Sequence, residues 1–287
     1  MSLGLTKTKR RIASVKSTQK ITKAMEMVAT VKVKRFRDAF DQAKDYYLGL
    51  REIMAKLFAY DKEEHKTHYS QENEGDLPTL YILLTSDLGL CAAYNVNLFR
   101  YVKEHVDPEK DILVTIGAKG TTHYRNTGEF KHFHDEYSDY ASPLQPRLIN
   151  QACQKIKDAF NQKKVKKVVL ISTKYVNSLS YIPEETTLLP FQYEDTPLPE
   201  EAWCPYLVEP SPRESLHILL PQYLGATLYF KAIESSLSEQ VSRRTAMDNA
   251  NDNADELLDK LTIEYNKARQ GAITQEITEV VSGSVNA

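Results

Sequence analysis

The sequence predicts an α/β domain inserted into a long antiparallel α-helical coiled coil, whose two strands are the N- and C-terminal segments. Three observations predict it. Residues 5–58 contain no proline and one glycine, Gly49, and residues 222–287 contain no proline. Both stretches repeat apolar residues mostly at steps of three or four, the spacing of one helix face. Between them, short apolar runs of strand length alternate with helix-like segments, the pattern of a mainly parallel sheet.

The C-terminal stretch organises the rest. From 216 to 281 it reads as one helix, interrupted only by Pro221, Gly225 and Gly271. About 65 residues make a rod of roughly 100 Å, too long for an ordinary globular core to cover. Its seam is Leu224, Leu228, Ile233, Leu237, Val241, Met247, Ala250, Ala254, Leu258, Leu261, Tyr265, Ala268 and Ala272. The seam of the N-terminal helix reads Ile12, Val15, Ile21, Met25, Val28, Val31, Phe36, Ala39, Ala43, Tyr47, Leu50, Met54 and Leu57. Polar Thr18, Gln19 and Thr22 interrupt it, which suits a helix lying against a polar surface. One helix enters the inserted domain and the other leaves it. They should therefore pair antiparallel, as a left-handed two-stranded coiled coil. The second helix is longer by on the order of 15 residues, so ~20 Å of single helix is expected to project. That overhang, residues 270–287, carries Ile273, Ile277, Val280 and Val281 and calls for a sleeve from another protein.

In the middle, residues 79–84, 111–116, 167–172 and 186–191 read as strands, with helices over 96–105, after Gly120 and over 147–162. Such a run builds a small Rossmann-like domain. The expected organisation is a discontinuous shaft, 1–60 with 211–287, and a central α/β domain, 76–195. Residues 61–75 and 196–210 are linkers, the first polar and exposed, the second marked by five prolines between Pro197 and Pro212.

The formal net charge of −2 argues against a general nucleic-acid binder. It hides an asymmetry. Between Lys7 and Arg37 lie eleven Lys or Arg and one acid, Glu26, whereas the segment 248–256 is acidic. Basic and acidic ends suit helices that pair, or an acidic partner surface; a solvated face is the plainer alternative. Stacking aromatics, which nucleic-acid binding would favour, are not interleaved with the basic run. Cys91, Cys153 and Cys204 form no CxxC, which fits reducing, intracellular surroundings and no disulfide framework. The basic start lacks an apolar run of the secretory kind, and no window is apolar enough to span a membrane.

Candidate chemistry is sparse. No GxxxxGK followed by Ser or Thr is present, so a P-loop is not expected. The turns Ser86-Asp-Leu-Gly-Leu-Cys-Ala-Ala-Tyr-Asn95 and Gly117-Ala-Lys-Gly120 could each offer backbone amides to an anion, or serve only as turns. His132 with His134, and His65 with His68, share faces but lack carboxylate partners at metal spacing. Cys91 has no histidine that sequence places beside it. No catalytic residue, metal or cofactor is expected, and the chain is read as non-enzymatic.

Two stretches carry a specific resemblance. Arg11-Ile-Ala-Ser-Val-Lys-Ser-Thr-Gln-Lys-Ile-Thr-Lys-Ala-Met-Glu-Met-Val-Ala29 resembles the N-terminal helix of the gamma subunits of rotary F-type ATP synthases. Thr245-Ala-Met-Asp-Asn-Ala-Asn-Asp-Asn-Ala-Asp-Glu-Leu257 and Tyr265-Asn-Lys-Ala-Arg-Gln-Gly-Ala-Ile-Thr-Gln-Glu-Ile277 resemble that family's C-terminal signature. Residues 85–95 are a looser match, with Ala92-Ala93 where the family has two glycines. The resemblance implies a rotating central stalk that couples proton or sodium flow to ATP synthesis or hydrolysis. It implies alpha and beta subunits around the shaft, with the epsilon subunit and the membrane c-ring at the α/β end. No nucleic acid and no direct nucleotide binding are implied. It also implies a peripheral position on the cytoplasmic face of a bacterial cell membrane. Met25, Arg243, Arg269, Gln270 and Thr274 match positions where the family's shaft meets the beta subunits. The alternative is a non-motor coiled-coil scaffold with an α/β head.

Overall fold

The computed structural model describes residues 3–60, 69, 71–137, 146–177, 180–191 and 208–285. The elements run α1 (Leu3–Tyr60), β1 (Leu80–Leu84), α2 (Tyr94–His105), β2 (Ile112–Ile116), α3 (Ala118–Thr127) and β3 (His132–Tyr137). Then follow α4 (Pro146–Asn161), β4 (Val168–Tyr175), β5 (Tyr181–Leu189) and α5 (Pro212–Val285). They fall into two compact units, Lys32–Ser242 and Met1–Val31 with Arg243–Ala287.

The Lys32–Ser242 unit is built on a five-stranded sheet of order β3-β2-β1-β4-β5. β1 pairs in parallel with β2 and β4, β2 pairs in parallel with β3, and β5 runs antiparallel to β4. Strand β1 and the first half of β4, Val168–Ile171, are apolar because both faces of the sheet are covered there. Alternation along them divides the core in two. Tyr81, Leu83, Leu113, Val169 and Ile171 pack with Leu98 and Val102 of α2 and Tyr124 of α3. Ile82, Leu84, Ile116, Val168 and Leu170 pack with Ile149, Ile156 and Phe160 of α4. The same cluster takes in Tyr47, Leu50, Met54 and Leu57 of α1 and Leu216, Leu220 and Leu224 of α5. Tyr47 stacks on Phe230 at 4.8 Å and Tyr223 at 6.2 Å, and Phe40 stacks on Phe230 at 5.3 Å.

Three local readings change. β3 is an additional strand, hidden in the sequence because His132-Phe-His-Asp-Glu-Tyr137 is polar. It survives as the sheet edge, where charged side chains also discourage further pairing. The stretch 71–75 is mostly exposed, but Asn73 is buried and its Nδ2 donates to Phe160 O at 2.9 Å and Val165 O at 2.8 Å. α5 begins at Pro212, because Ser211 Oγ accepts from Glu214 N–H at 3.3 Å and proline fits the first helical position.

In the other unit, hydrogen bonds join the two helix segments. Gln19 Nε2 donates to Asp255 Oδ1 at 2.6 Å, Thr22 Oγ1 donates to Asn251 Oδ1, and Asn251 Nδ2 donates to Glu26 Oε2 at 2.7 Å. As numbering rises on α1 it does not rise on α5, so the segments run antiparallel here. Asn251 is buried with both ends of its amide satisfied, the arrangement by which one polar group fixes register in a paired-helix seam. The observed seam of α1 therefore passes through Gln19, Thr22, Glu26 and Ala29. Ile21, Val28 and Val31, expected in it, are exposed.

Candidate functional site

In the sheet, strand order reverses between β1 and β4. Open α/β sheets bind ligands at such a point, in the crevice beyond the carboxyl ends of the strands. Here α5 fills the crevice. Thr173 N–H donates to Ser235 Oγ at 3.1 Å, and Tyr175 N–H donates to Glu234 Oε1 at 3.3 Å. Tyr94 Oη–H donates to Ser235 O at 3.2 Å, and Ser242 Oγ–H donates to Cys91 O at 2.6 Å. Burial pushes the Tyr94 phenol far above its usual range, so it stays a hydroxyl donor. Between Leu84, Thr85, Tyr94 and Glu239 there remains a cavity of about 10 Å³, room for one water at most.

This packing accounts for an unusual stretch of α5. Every residue from 231 to 242 is buried, yet eight of the twelve are polar. Buried polar groups are costly unless bonded, and the ends of β4, the start of α2 and the β1–α2 turn supply the bonds. A charged cluster adds to them. Lys231 Nζ lies 2.7 Å from Glu184 Oε2 of β5 and 3.0 Å from Glu234 Oε2, and Lys174 Nζ lies 2.9 Å from Glu184 Oε1. Burial alone would lower the Lys231 pKa, but the two carboxylates outweigh it and raise it. Burial would raise Glu184, yet the hydrogen bonds and charges of Lys231 and Lys174 hold it below the usual range. Burial dominates at Glu234 and raises it. Removing one partner from a buried pair costs about 3–5 kcal/mol, because the other charge is left uncompensated.

The two turns offered by the sequence as anion sites are capped from within. At the start of α3, Ala118 N–H is held by Asp87 Oδ1 at 3.1 Å, Lys119 N–H by Ser86 O at 3.0 Å and Gly120 N–H by Thr85 Oγ1 at 3.0 Å. At the other turn, Ser86 N–H donates to Asn95 Oδ1 at 3.2 Å, and Asn95 Nδ2 donates back to Ser86 Oγ at 2.7 Å. Cys91 is buried, with its Sγ 3.4 Å from Asn95 Nδ2. Cys153 is buried too, and burial pushes its thiol up to about 11. His132 and His134 share one face of β3, and His65 and His68 lie outside the described residues. Among the described residues no cluster of three or more His, Cys, Asp or Glu could hold a metal ion. No helix there is long and apolar enough to cross a membrane. A second cavity, of about 280 Å³, lies between the sheet face and α4 and is walled by Ile82, Val114, Ile156 and similar residues.

The sequence-derived contact residues all lie on α1 and α5. Arg269, Gln270 and Thr274 are exposed within two turns of α5, and Thr274 Oγ1 donates to Gln270 O at 3.0 Å. Met25 is half-buried on α1. Arg243 is only 5% exposed, and 26 residues of helix, about 39 Å, separate it from Arg269. Three of the five are thus brought together and two stand apart. The sequence reading missed a stripe on α1. Ile21, Met27, Val28 and Val31 are 59%, 68%, 57% and 71% exposed, and at 100° per residue they lie on the side of α1 away from Thr22, Glu26 and Ala29. Their apolar repeat was the signal, assigned to the wrong face.

The ATP synthase family profile matches residues 4–286. The ATP synthase gamma chain of Halothermothrix orenii is 38% identical over 284 residues, covering 96% of each chain. The chain belongs to the ATP synthase gamma-chain family. A gamma chain of Acetobacterium woodii described as sodium ion specific is 33% identical, again over 96% of each chain. The fold is shared with the rotor of Euglena gracilis mitochondrial ATP synthase, at TM-score 0.61 and 16% identity over 94% of this chain and 99% of that one. It is shared also with the Tetrahymena thermophila mitochondrial ATP synthase central stalk and c-ring assembly, at TM-score 0.56 and 21% identity over 80% of this chain and 99% of that one. As a gamma subunit of an F-type ATP synthase, the chain takes the central-stalk role, and the non-motor scaffold is not favoured. In the β1–α2 turn Ala92 lies in the left-handed region at φ 45°, carrying its Cβ there, and Ala93 is at φ −84°.

Proposed function

We propose that α1 and α5 wind as a left-handed coiled coil, residues 1–60 with 211–287, forming the rotating shaft. The shaft carries residues 76–195 as a Rossmann-like head. In this reading the alpha and beta subunits enclose the shaft, while epsilon and the c-ring engage the head on the cytoplasmic face of the cell membrane. The shaft presents different faces to three otherwise equivalent catalytic sites, so its turning couples ion flow to ATP synthesis or hydrolysis elsewhere. This chain itself binds no nucleotide and catalyses nothing. Met25, Arg243, Arg269, Gln270 and Thr274 meet the beta subunits. Met25 offers a flexible apolar contact, and the arginines offer charge-assisted bonds to acidic loops.

The observation that carries this reading is uncovered apolar surface on both helices. Ile21, Met27, Val28 and Val31 on α1, and Ile273, Ile277 and Val281 on α5, are between 47% and 71% exposed. A stripe of that kind marks an interaction surface. The test is co-expression with cognate alpha and beta subunits. The chain alone is expected to hydrolyse no ATP, and the co-assembled complex to hydrolyse at least about tenfold faster than alpha and beta alone, an effect of about 1.4 kcal/mol or more. A complex that forms without changing ATP turnover would return the scaffold reading.

A further inference from the structure

We propose that Lys231 is a positioning residue that sets α5 on the head, so that torque passes between them without slip. The proposal rests on the rotor reading. A helix lying in a groove can turn about its axis or shift by one turn, and apolar packing opposes this without preferring a direction. Directional bonds do prefer one setting. Ser235 and Glu234 take amides at the end of β4, which fixes α5 along its length. Lys231 takes a carboxylate on each side, Glu184 from the edge strand β5 and Glu234 one turn along α5. Its side chain is 9% exposed and that of Glu234 is 5% exposed, so the pair works where screening by water is weak. Lys174 of β4 holds Glu184 from the other side. The chain of contacts β4–β5–α5 therefore reaches α5 from β5 through one ammonium group, that of Lys231. Turning α5 would carry Lys231 away from Glu184 and Glu234 away from Tyr175 N–H.

The test uses the assembled, membrane-bound synthase and measures ATP hydrolysis and ATP-driven ion pumping on the same vesicles. The decisive variant is the double substitution Lys231→Met with Glu234→Gln, which removes the buried ion pair, leaves no stranded charge on α5 and keeps an acceptor for Tyr175 N–H. Lys231→Arg, which keeps the cation, is the control. For the double variant we expect a melting temperature within a few degrees of the parent, hydrolysis within about twofold, and pumping per ATP reduced at least about threefold. Lys231→Arg should keep the parent's ratio. An unchanged ratio in the double variant overturns the proposal. So does a proportional loss of both activities together with lower melting, which is what a merely structural role would give. If the parent protein itself supports no pumping, the rotor reading fails instead, and with it the premise.

Discussion

Replacing Gly117 with alanine is expected to destabilise the Lys32–Ser242 unit by at least about 3 kcal/mol and to lower its melting temperature by about 6–12 °C. Gly117 sits at φ +111° and ψ 137°, a region that L side chains rarely adopt, at a cost of about 1–3 kcal/mol. A Cβ there would also stand 2.3 Å from Thr85 O and 2.6 Å from Thr85 Oγ1. Thr85 cannot easily yield. Its Oγ1 is 3.1 Å from Ile116 O and receives Gly120 N–H, and its own N–H donates to Ile116 O. Thr85 also faces Ser235 and Glu239 of α5 across the small cavity at the strand ends. Strain at Gly117 therefore reaches the seat of α5. Gly128 is the internal control. It adopts φ +62° at the end of α3, and a methyl group added there would meet nothing within 4 Å, so Gly128→Ala should cost only about 1 kcal/mol. Thermal melts of the two variants side by side check this, and equal melting temperatures would contradict it.

Deleting the last 12 residues is expected to weaken assembly with alpha and beta at least about tenfold while leaving the melting of the Lys32–Ser242 unit unchanged. Gln19 bonds Asp255. Sixteen residues back from Gln19 lies Leu3, and sixteen forward from Asp255 lies Gly271, so α1 begins opposite about that residue. α5 continues to Val285, leaving about 14 residues, or roughly 20 Å, of single helix. Ile273, Ile277 and Val281 recur every four residues along it and are 47%, 59% and 55% exposed. The deletion removes two of the three. Each apolar side chain of this size, once enclosed by a partner, contributes about 1.5–3 kcal/mol, a tenfold or greater change in affinity. Binding measured by sedimentation or surface-coupled titration, beside a thermal melt, separates the two effects. Equal affinity, or a lower melting temperature for the Lys32–Ser242 unit, would contradict the expectation.

How legible these features were in the sequence depended on what buried each residue. The α5 seam was legible at Leu224, Leu228, Leu237, Val241, Met247, Leu258 and Leu261, all of which are buried, because ordinary apolar packing covers them. Ala268 is exposed instead. The α1 seam was legible from Ala43 onward, where it meets the head, and misassigned earlier. Near Thr22 the buried face is polar, because Asn251 and Asp255 supply hydrogen bonds, and the apolar residues lie outside. Hydropathy alone ranks those two faces the wrong way round. The same inversion hid the buried polar side of α5 between 231 and 242, where Lys231, Glu234 and Ser235 are buried by bonds to groups more than 45 residues away in the chain. β1, β2 and β4 announced themselves as apolar runs. β3 did not, since an edge strand needs no apolar pattern on its free side. Of the contact residues suggested by resemblance, Arg269, Gln270 and Thr274 lie on an open surface, and nothing in local sequence distinguishes them from buried Arg243.

The central claim is that the two ends of the chain form one axle, and a cross-link tests it directly. Thr22 and Asn251 bond through their side chains, so cysteines at these positions would face each other across the two helices. Cysteines placed at both positions should oxidise to an intramolecular bridge, and the bridged protein should stimulate ATP turnover by alpha and beta as well as its reduced form does. Failure of the bridge to form, or activity that appears only after reduction, would contradict the claim, because the two helices would then have to part for the motor to turn.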